Sequence, residues 1–118
     1  MSPLDSAFAA LSDPTRRALL ARLAQGEATV QVLARPFAIS QPAISHHLKV
    51  LEEAGLIETR VAGTARPRRL RPEAVEAIWG WMSEFRREME ARYARLDAVL
   101  DEMMQEEMQD GTEQHDKA

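Results

Sequence analysis

A mainly α-helical domain with one small β-hairpin is the fold class this sequence predicts, and three observations predict it. Residues 40–54 hold a short amphipathic helix with its own start and stop. Ser40 is an N-cap type whose hydroxyl can accept an orphan backbone N–H, Pro42 is tolerated in a first turn, and Gly55 supplies a left-handed residue past the last turn. Residues 57–61 then alternate apolar and polar, the period of a half-exposed strand, and an arginine-rich stretch returns after a turn at residues 62–65. Finally Val75, Ile78, Met82, Phe85, Met89, Tyr93, Leu96, Leu100 and Met103 recur at a mean step of about 3.5 residues, the spacing of a helix-pairing seam.

Each element follows from local chemistry. Residues 4–11 form a first helix, with Leu4, Phe8 and Leu11 at helical spacing. Asp13-Pro14, an N-cap followed by a first-turn proline, opens a second helix that runs through Leu23, closes at Gly26 and turns Leu19, Leu20 and Leu23 inward. Thr29 stands where it can cap a short helix from Val30 to Arg35, which Pro36 stops. Phe37-Ala38-Ile39 is a tight connection into the helix after Ser40. There Ile44, Leu48 and Leu51 make one apolar stripe at i, i+4 and i+7, and Gln41, Pro42, Ser45, His46 and Lys49 occupy the other side. His47, next to the stripe, is expected to pack between helices. In the hairpin, Pro67 cannot donate to a ladder and belongs on an edge. Pro72-Glu73 starts the last helix, which runs to about residue 108. Its stripe spans about 42 Å, longer than a domain this small can bury, so part of that face seeks another chain. Residues 109–118 are polar and expected to be a disordered acidic tail. Residues 1–108 thus read as one winged helix-turn-helix domain, with recognition helix 41–54, wing 57–71 and pairing helix 73–108.

Composition narrows the function. The chain has 118 residues and no cysteine, which excludes a disulfide framework and thiolate metal ligands. It shows no signal-peptide pattern and no apolar run long enough to span a bilayer, so a cytoplasmic protein is expected. The net charge of −4 hides an asymmetry. Residues 1–72 carry ten Lys/Arg against six Asp/Glu, and residues 73–118 carry five against thirteen. A basic surface on the first part therefore suits a nucleic-acid partner. Residues 60–71 contain five arginines and no acid, which points to DNA phosphate; Arg16, Arg17 and Arg22 are expected to form surface salt bridges. Ser45 and His46 are adjacent on a helix and cannot adopt the geometry of a nucleophile and its base, so no enzyme is expected.

The stretches Phe8–Arg17 (FAALSDPTRR), Ser40–Leu51 (SQPAISHHLKVL) and Ala54–Ile57 (AGLI), in that order and at compact spacing, resemble the ArsR-type winged-helix transcriptional repressors. The resemblance covers roughly residues 5–104. It is similar in particular to a cysteine-free branch with a Trp-rich last helix, matched by the Trp79–Arg87 and Ala91–Leu96 stretches. The resemblance implies a homodimeric repressor at a palindromic operator on double-stranded DNA, released by some signal. It places the recognition helix in the major groove and the wing on the flanking backbone. Carried onto this chain, Gln41, Ser45 and His46, with Pro42 beside them, face base edges, Ser40 and Lys49 face phosphate, and Arg66 and Arg68 act from the wing. Leu4, Phe8, Trp79, Met82, Phe85, Met89, Tyr93, Leu96 and Leu100 become the dimerisation set. Two recognition helices related by a dyad would sit about 34–36 Å apart.

Metal sensing, for which the family is best known, is not expected here, nor is any cofactor. The helix before the recognition helix has no paired cysteines, and residues 73–108 contain no histidine. Arsenic-type and zinc-type sites need such ligands. Two alternatives stay beside the repressor: a sensor binding a small apolar molecule near Trp79, Trp81, Met82 and Phe85, and a DNA-independent module whose long helix binds another protein.

Overall fold

A computed structural model describes the backbone of residues 2–116 and the side chains of residues 2–109. The elements are α1 (Pro3–Ala10), α2 (Pro14–Leu23), α3 (Val30–Ala34), α4 (Gln41–Glu53), β1 (Ile57–Thr59), β2 (Arg68–Leu70) and α5 (Pro72–Asp116), in the expected order. The chain divides between Trp79 and Gly80 into two compact units. The first holds α1 to α4, the hairpin and the start of α5; the second is the remainder of α5.

Most of these boundaries are set by short-range hydrogen bonds. A capping box starts α1: the Ser2 hydroxyl accepts from Asp5 N (3.2 Å) and the Asp5 carboxylate accepts from Ser2 N (3.1 Å). Asp13 caps α2 by accepting from Arg16 N at 3.0 Å. The same segment closes the helix before it. Arg16 donates to the Ala10 carbonyl and Arg17 to the Leu11 carbonyl (2.8 Å), groups that a helix C-terminus leaves without partners. Arg22 likewise donates to the Gly26 carbonyl. These three arginines were expected in salt bridges; they bind backbone carbonyls at the α1–α2 corner and the end of α2 instead, and among the described residues none of them has an ion-pair partner. Thr29 occupies the N-cap of α3 but makes no side-chain cap bond, and α3 ends at Ala34, one residue early.

Helix α4 is closed at both ends. Ser40 accepts from Ala43 N at 3.3 Å. At the other end Gly55 takes φ +78°, Gly55 N donates to Glu52 O, and Leu56 N donates to Leu51 O, the pair of bonds of a Schellman motif. Its stripe forms the centre of the core. Ile44 and Leu51 are fully buried and Leu48 nearly so, and they cluster with Ala7 and Ala10 of α1, Leu19 and Leu23 of α2 and Leu33 of α3.

The wing is antiparallel, with Ile57 opposite Leu70, Glu58 opposite Arg69 and Thr59 opposite Arg68. Its tip is a two-residue turn, Gly63-Thr64. Ala62 and Ala65 exchange hydrogen bonds around it, and Gly63 at φ +63° takes a conformation that costs glycine little. Pro67 precedes β2 rather than lying in it; it is buried, and its carbonyl accepts from Arg60 N at 2.8 Å. The far side of β2 is covered as well, because Arg68 and Ala28 exchange N–H···O bonds of 2.8 and 3.1 Å.

Ala74 and Ile78 of α5 pack against the core. The helix runs to Asp116, eight residues past its expected end, since no proline follows Pro72 and each added residue of a formed helix gains a hydrogen bond at small cost. The expected disordered tail at 109–118 falls on residues that, after 109, are described by backbone alone, and 117 and 118 lie outside the described residues.

Candidate nucleic-acid interface

With Ile44, Leu48 and Leu51 held in the core, the opposite side of α4 must face outward. Ser40, Gln41, Pro42, Ser45, His46 and Lys49 are all exposed. The Ser40 hydroxyl accepts the cap bond, which leaves its O–H free to donate. Lys49 lies 4.0 Å from Glu53 in a pair exposed on both sides, a contact worth little. His46 and His47 diverge, as neighbours on a helix must. His47 is half-buried, with Nδ1 3.4 Å from an Arg16 guanidinium nitrogen and 4.0 Å from an Asp13 oxygen. It joins α4 to the start of α2. Asp13 is held below its ordinary carboxylate value, first by the backbone N–H of Arg16.

The five wing arginines separate into two groups. Arg60 is paired in two-pronged fashion with Glu27 (2.6 and 3.0 Å), Arg69 with Glu58, and Arg71 with Glu73 (3.0 Å). The hydrogen bond from Arg60 lowers the Glu27 pKa, and the same bond raises that of Arg60. Arg66 and Arg68 donate only to backbone carbonyls, of Gly63, Ala65 and Arg66, and among the described residues neither has an ion-pair partner. Residues 60–71 are thus not one unneutralised basic strip. Three of the five cations are spent inside the protein, two by carboxylates on the hairpin or just after it and one by Glu27, which the fold brings alongside.

A groove of about 410 Å³ collects the rest. It is lined by Thr29, Val30 and Gln31 at the start of α3, Gln41 at the start of α4, and Thr64, Ala65, Arg66 and Arg68 of the wing. Three residues picked from sequence (Gln41, Arg66 and Arg68) therefore share one surface. Sequence reasoning missed Thr29, Gln31 and Thr64 there. Thr29 was read as a cap, and nothing in its local pattern shows that its hydroxyl is not used for one.

The residues expected to dimerise are mostly solvent-facing in the single chain. Leu4 is half-buried, beside an apolar cavity of about 260 Å³ that it shares with Ala7, Ala54, Ala74, Ala77 and Ile78. Phe8 is 37% exposed. Trp79, Met82, Phe85, Tyr93, Leu96 and Leu100 are exposed and Met89 is half-buried. Trp81 stacks on Phe85 one turn along the same helix, ring centres 5.5 Å apart. No helix among the described residues is long and apolar enough to cross a membrane.

Comparison with known proteins agrees with this geometry. Residues 11–60 match a helix-turn-helix domain family. Over 92 residues the chain is 44% identical to the HTH-type transcriptional regulator Rv2034 of Mycobacterium tuberculosis, covering 78% of this chain and 86% of that protein. The crystal structure of an ArsR family transcriptional regulator, 39% identical, superposes with a TM-score of 0.69 over 75% of this chain and 98% of that one. The chain belongs to the ArsR family. This ArsR-family chain is also 37% identical over 82 residues to the transcriptional repressor SdpR of Bacillus subtilis, covering 70% of this chain and 91% of SdpR. A further structural relative, the homodimeric winged helix-turn-helix DNA-binding domain of a Mycobacterium bovis protein, is 26% identical with a TM-score of 0.60, covering 69% and 76% of the two chains. Proteins of this family are transcriptional regulators, not enzymes.

Proposed function

We propose that this protein is a sequence-specific DNA-binding repressor that acts as a homodimer on a palindromic operator. One observation carries the reading. The face of α4 turned away from the core is exposed and, apart from Pro42, polar, and its first residue, Gln41, lines a groove with the two wing arginines that no carboxylate among the described residues neutralises. Base edges in a major groove are read by side chains such as Gln41, Ser45 and His46, while Ser40, Lys49, Arg66 and Arg68 suit phosphate. Pro42 adds an apolar contact in the first turn of the helix. The exposed seam of α5, with Leu4 and Phe8 of α1, supplies the surface for a second copy, and a dyad sets the two half-sites one turn of DNA or a multiple apart.

The test is footprinting of the purified protein on the duplex upstream of its own gene. A protected imperfect palindrome, with affinity falling steeply as salt rises, is the expected result. Binding that shows no sequence preference at any salt concentration would remove the recognition role from α4.

A further inference from the structure

Beside α2 and β2 the first unit carries a cavity that the nucleic-acid interface does not use. It measures about 320 Å³ and is walled by Leu11, Leu20, Ala21, Ala24, Leu70 and Val75, with Arg17 as its single charged residue. Leu11, Leu20 and Leu70 pack against the core and supply the inner wall. Arg17 is exposed, so its guanidinium stands on the solvent side. One of its nitrogens donates to the Leu11 carbonyl, and among the described residues no carboxylate pairs with it. Two other cavities of this unit are charged differently. The one beside Leu4 has Arg71 and Glu73 at its edge, already paired with each other, and one of about 390 Å³ near Ala10 holds Arg16 together with Glu53. Neither sets a single charge above an apolar wall.

From this we infer that the cavity beside Arg17 takes a small molecule with a short apolar body and one carboxylate, and that this molecule is an effector of the DNA-binding unit. The volume lies at the small end of the roughly 300–1,000 Å³ of ligand sites, which suits a short aliphatic or aromatic body. Apolar walls favour burial of that body but do not orient it. Arg17 supplies the direction. Its planar fork matches two carboxylate oxygens, and a bond to a charged acceptor is stronger than one to a neutral hydroxyl. A cationic head would meet the guanidinium with no acid in the wall to receive it. The effector role, unlike the site, rests on the DNA-binding reading. Leu70 lies on β2 two residues from Arg68, whose backbone is tied to Ala28 between α2 and α3. A molecule touching α2 and Leu70 together therefore bears on the strand that positions one of the two wing cations left without a carboxylate.

Thermal melting of the full chain with octanoate, octanol or octylamine, probes that share one apolar body, tests the site. Octanoate should raise the melting temperature saturably, and octanol should need several-fold more for the same shift. Arg17→Gln should bring octanoate down to the level of octanol and leave octanol as it was. Equal loss for both probes would mean that Arg17 only holds the α1–α2 corner, and the carboxylate assignment would fall. Ala21→Trp, at an exposed position on the wall, should fill the cavity and abolish the octanoate response while circular dichroism shows the fold retained. An undiminished response in that variant, no saturable response in the wild type, or an octylamine shift as large as that of octanoate would each remove the site. So would a loss of self-association in Ala21→Trp, which would make the cavity a contact between copies. For the effector role, octanoate should change affinity for the duplex upstream of the protein's own gene several-fold in the wild type and not in Ala21→Trp. Unchanged affinity in a chain that holds octanoate and binds that duplex would overturn the role and leave the site standing. A chain that holds octanoate but binds no DNA with sequence preference would sink the proposed function, and the effector role with it, while the site remains.

Discussion

The recognition helix α4 and the stretch of α5 beyond Gly80 are both amphipathic, and their fates are opposite. In α4 the stripe of Ile44, Leu48 and Leu51 is buried to within 1% exposure, while on α5 Met82, Phe85, Tyr93, Leu96, Val99, Leu100, Met103 and Met104 each stay about half exposed. A helix whose apolar side is satisfied inside its own chain has only its polar side to offer a partner. A helix whose apolar side is unsatisfied offers that side first. The same pattern thus suits recognition of a polar polymer in one place and, on the proposed function, self-association in the other, and the neighbouring fold decides which.

Mutations sharpen that contrast. Leu48→Ala should cost about 2–5 kcal/mol of folding stability, read as a lowered melting temperature, because it opens a cavity in a packed centre. Leu100→Ala should leave the melting of the DNA-binding unit unchanged and lower only the tendency to self-associate. If Leu100→Ala melted the protein as Leu48→Ala does, the two helices would not differ as described.

The polar face comes next in size. Gln41→Ala or His46→Ala should cost about 1–3 kcal/mol in operator binding and relax base preference at one position. Gly55→Ala should cost about 1–2 kcal/mol of stability, since φ of +78° is strained for any residue with a Cβ, although the nearest atom to that Cβ, a guanidinium nitrogen of Arg71, leaves ordinary room at 3.8 Å. Denaturant titration at constant temperature measures it.

Smaller effects test the division among the arginines. Arg68→Ala should weaken binding to all sequences alike and reduce the salt slope by about one. Arg69→Ala should leave that slope nearly unchanged, because Glu58 already neutralises it. Equal slopes for the two variants would erase the distinction. The smallest effect is acid sensitivity. Glu27 and Glu73 are held below the ordinary glutamate value of 4.5. Their contribution is therefore present above that value and is lost as pH falls through their lower folded-state values. Melting temperature should hold from neutrality down to about pH 4.5 and then decline. Glu27→Gln should make the decline shallower.

What was legible in the sequence was what the chain decides locally. The cap at Ser40, the glycine stop at Gly55, the stripe between them and the Asp13-Pro14 start each depend on residues within about one turn, and the fold keeps them all. Partnerships across many positions were not legible. Glu27 lies 33 residues before Arg60, and no periodicity announces that they meet. Ala28, which covers the far side of β2 through Arg68, is a single residue in a connection and carries no strand pattern. The arginine-rich run could be seen from composition; which arginines stay uncommitted could only be seen once the chain had folded. The two chosen from sequence for the wing, Arg66 and Arg68, are the two that do.

Glu52, in the last turn of α4, accepts from both the backbone N–H and the hydroxyl of Thr59 on β1, at 3.1 and 2.8 Å. Helix and hairpin are thereby bolted together like the jaws of a calliper set to one opening. On the proposed reading, with α4 in a major groove and the wing tip at the neighbouring backbone, the gap between them is set by the protein and not by the DNA. Duplexes whose grooves already match that gap should bind without bending, and others should bear a deformation cost. Thr59→Val should slacken the jaws and narrow the affinity difference between stiff and flexible flanking sequences, at base pairs no side chain touches.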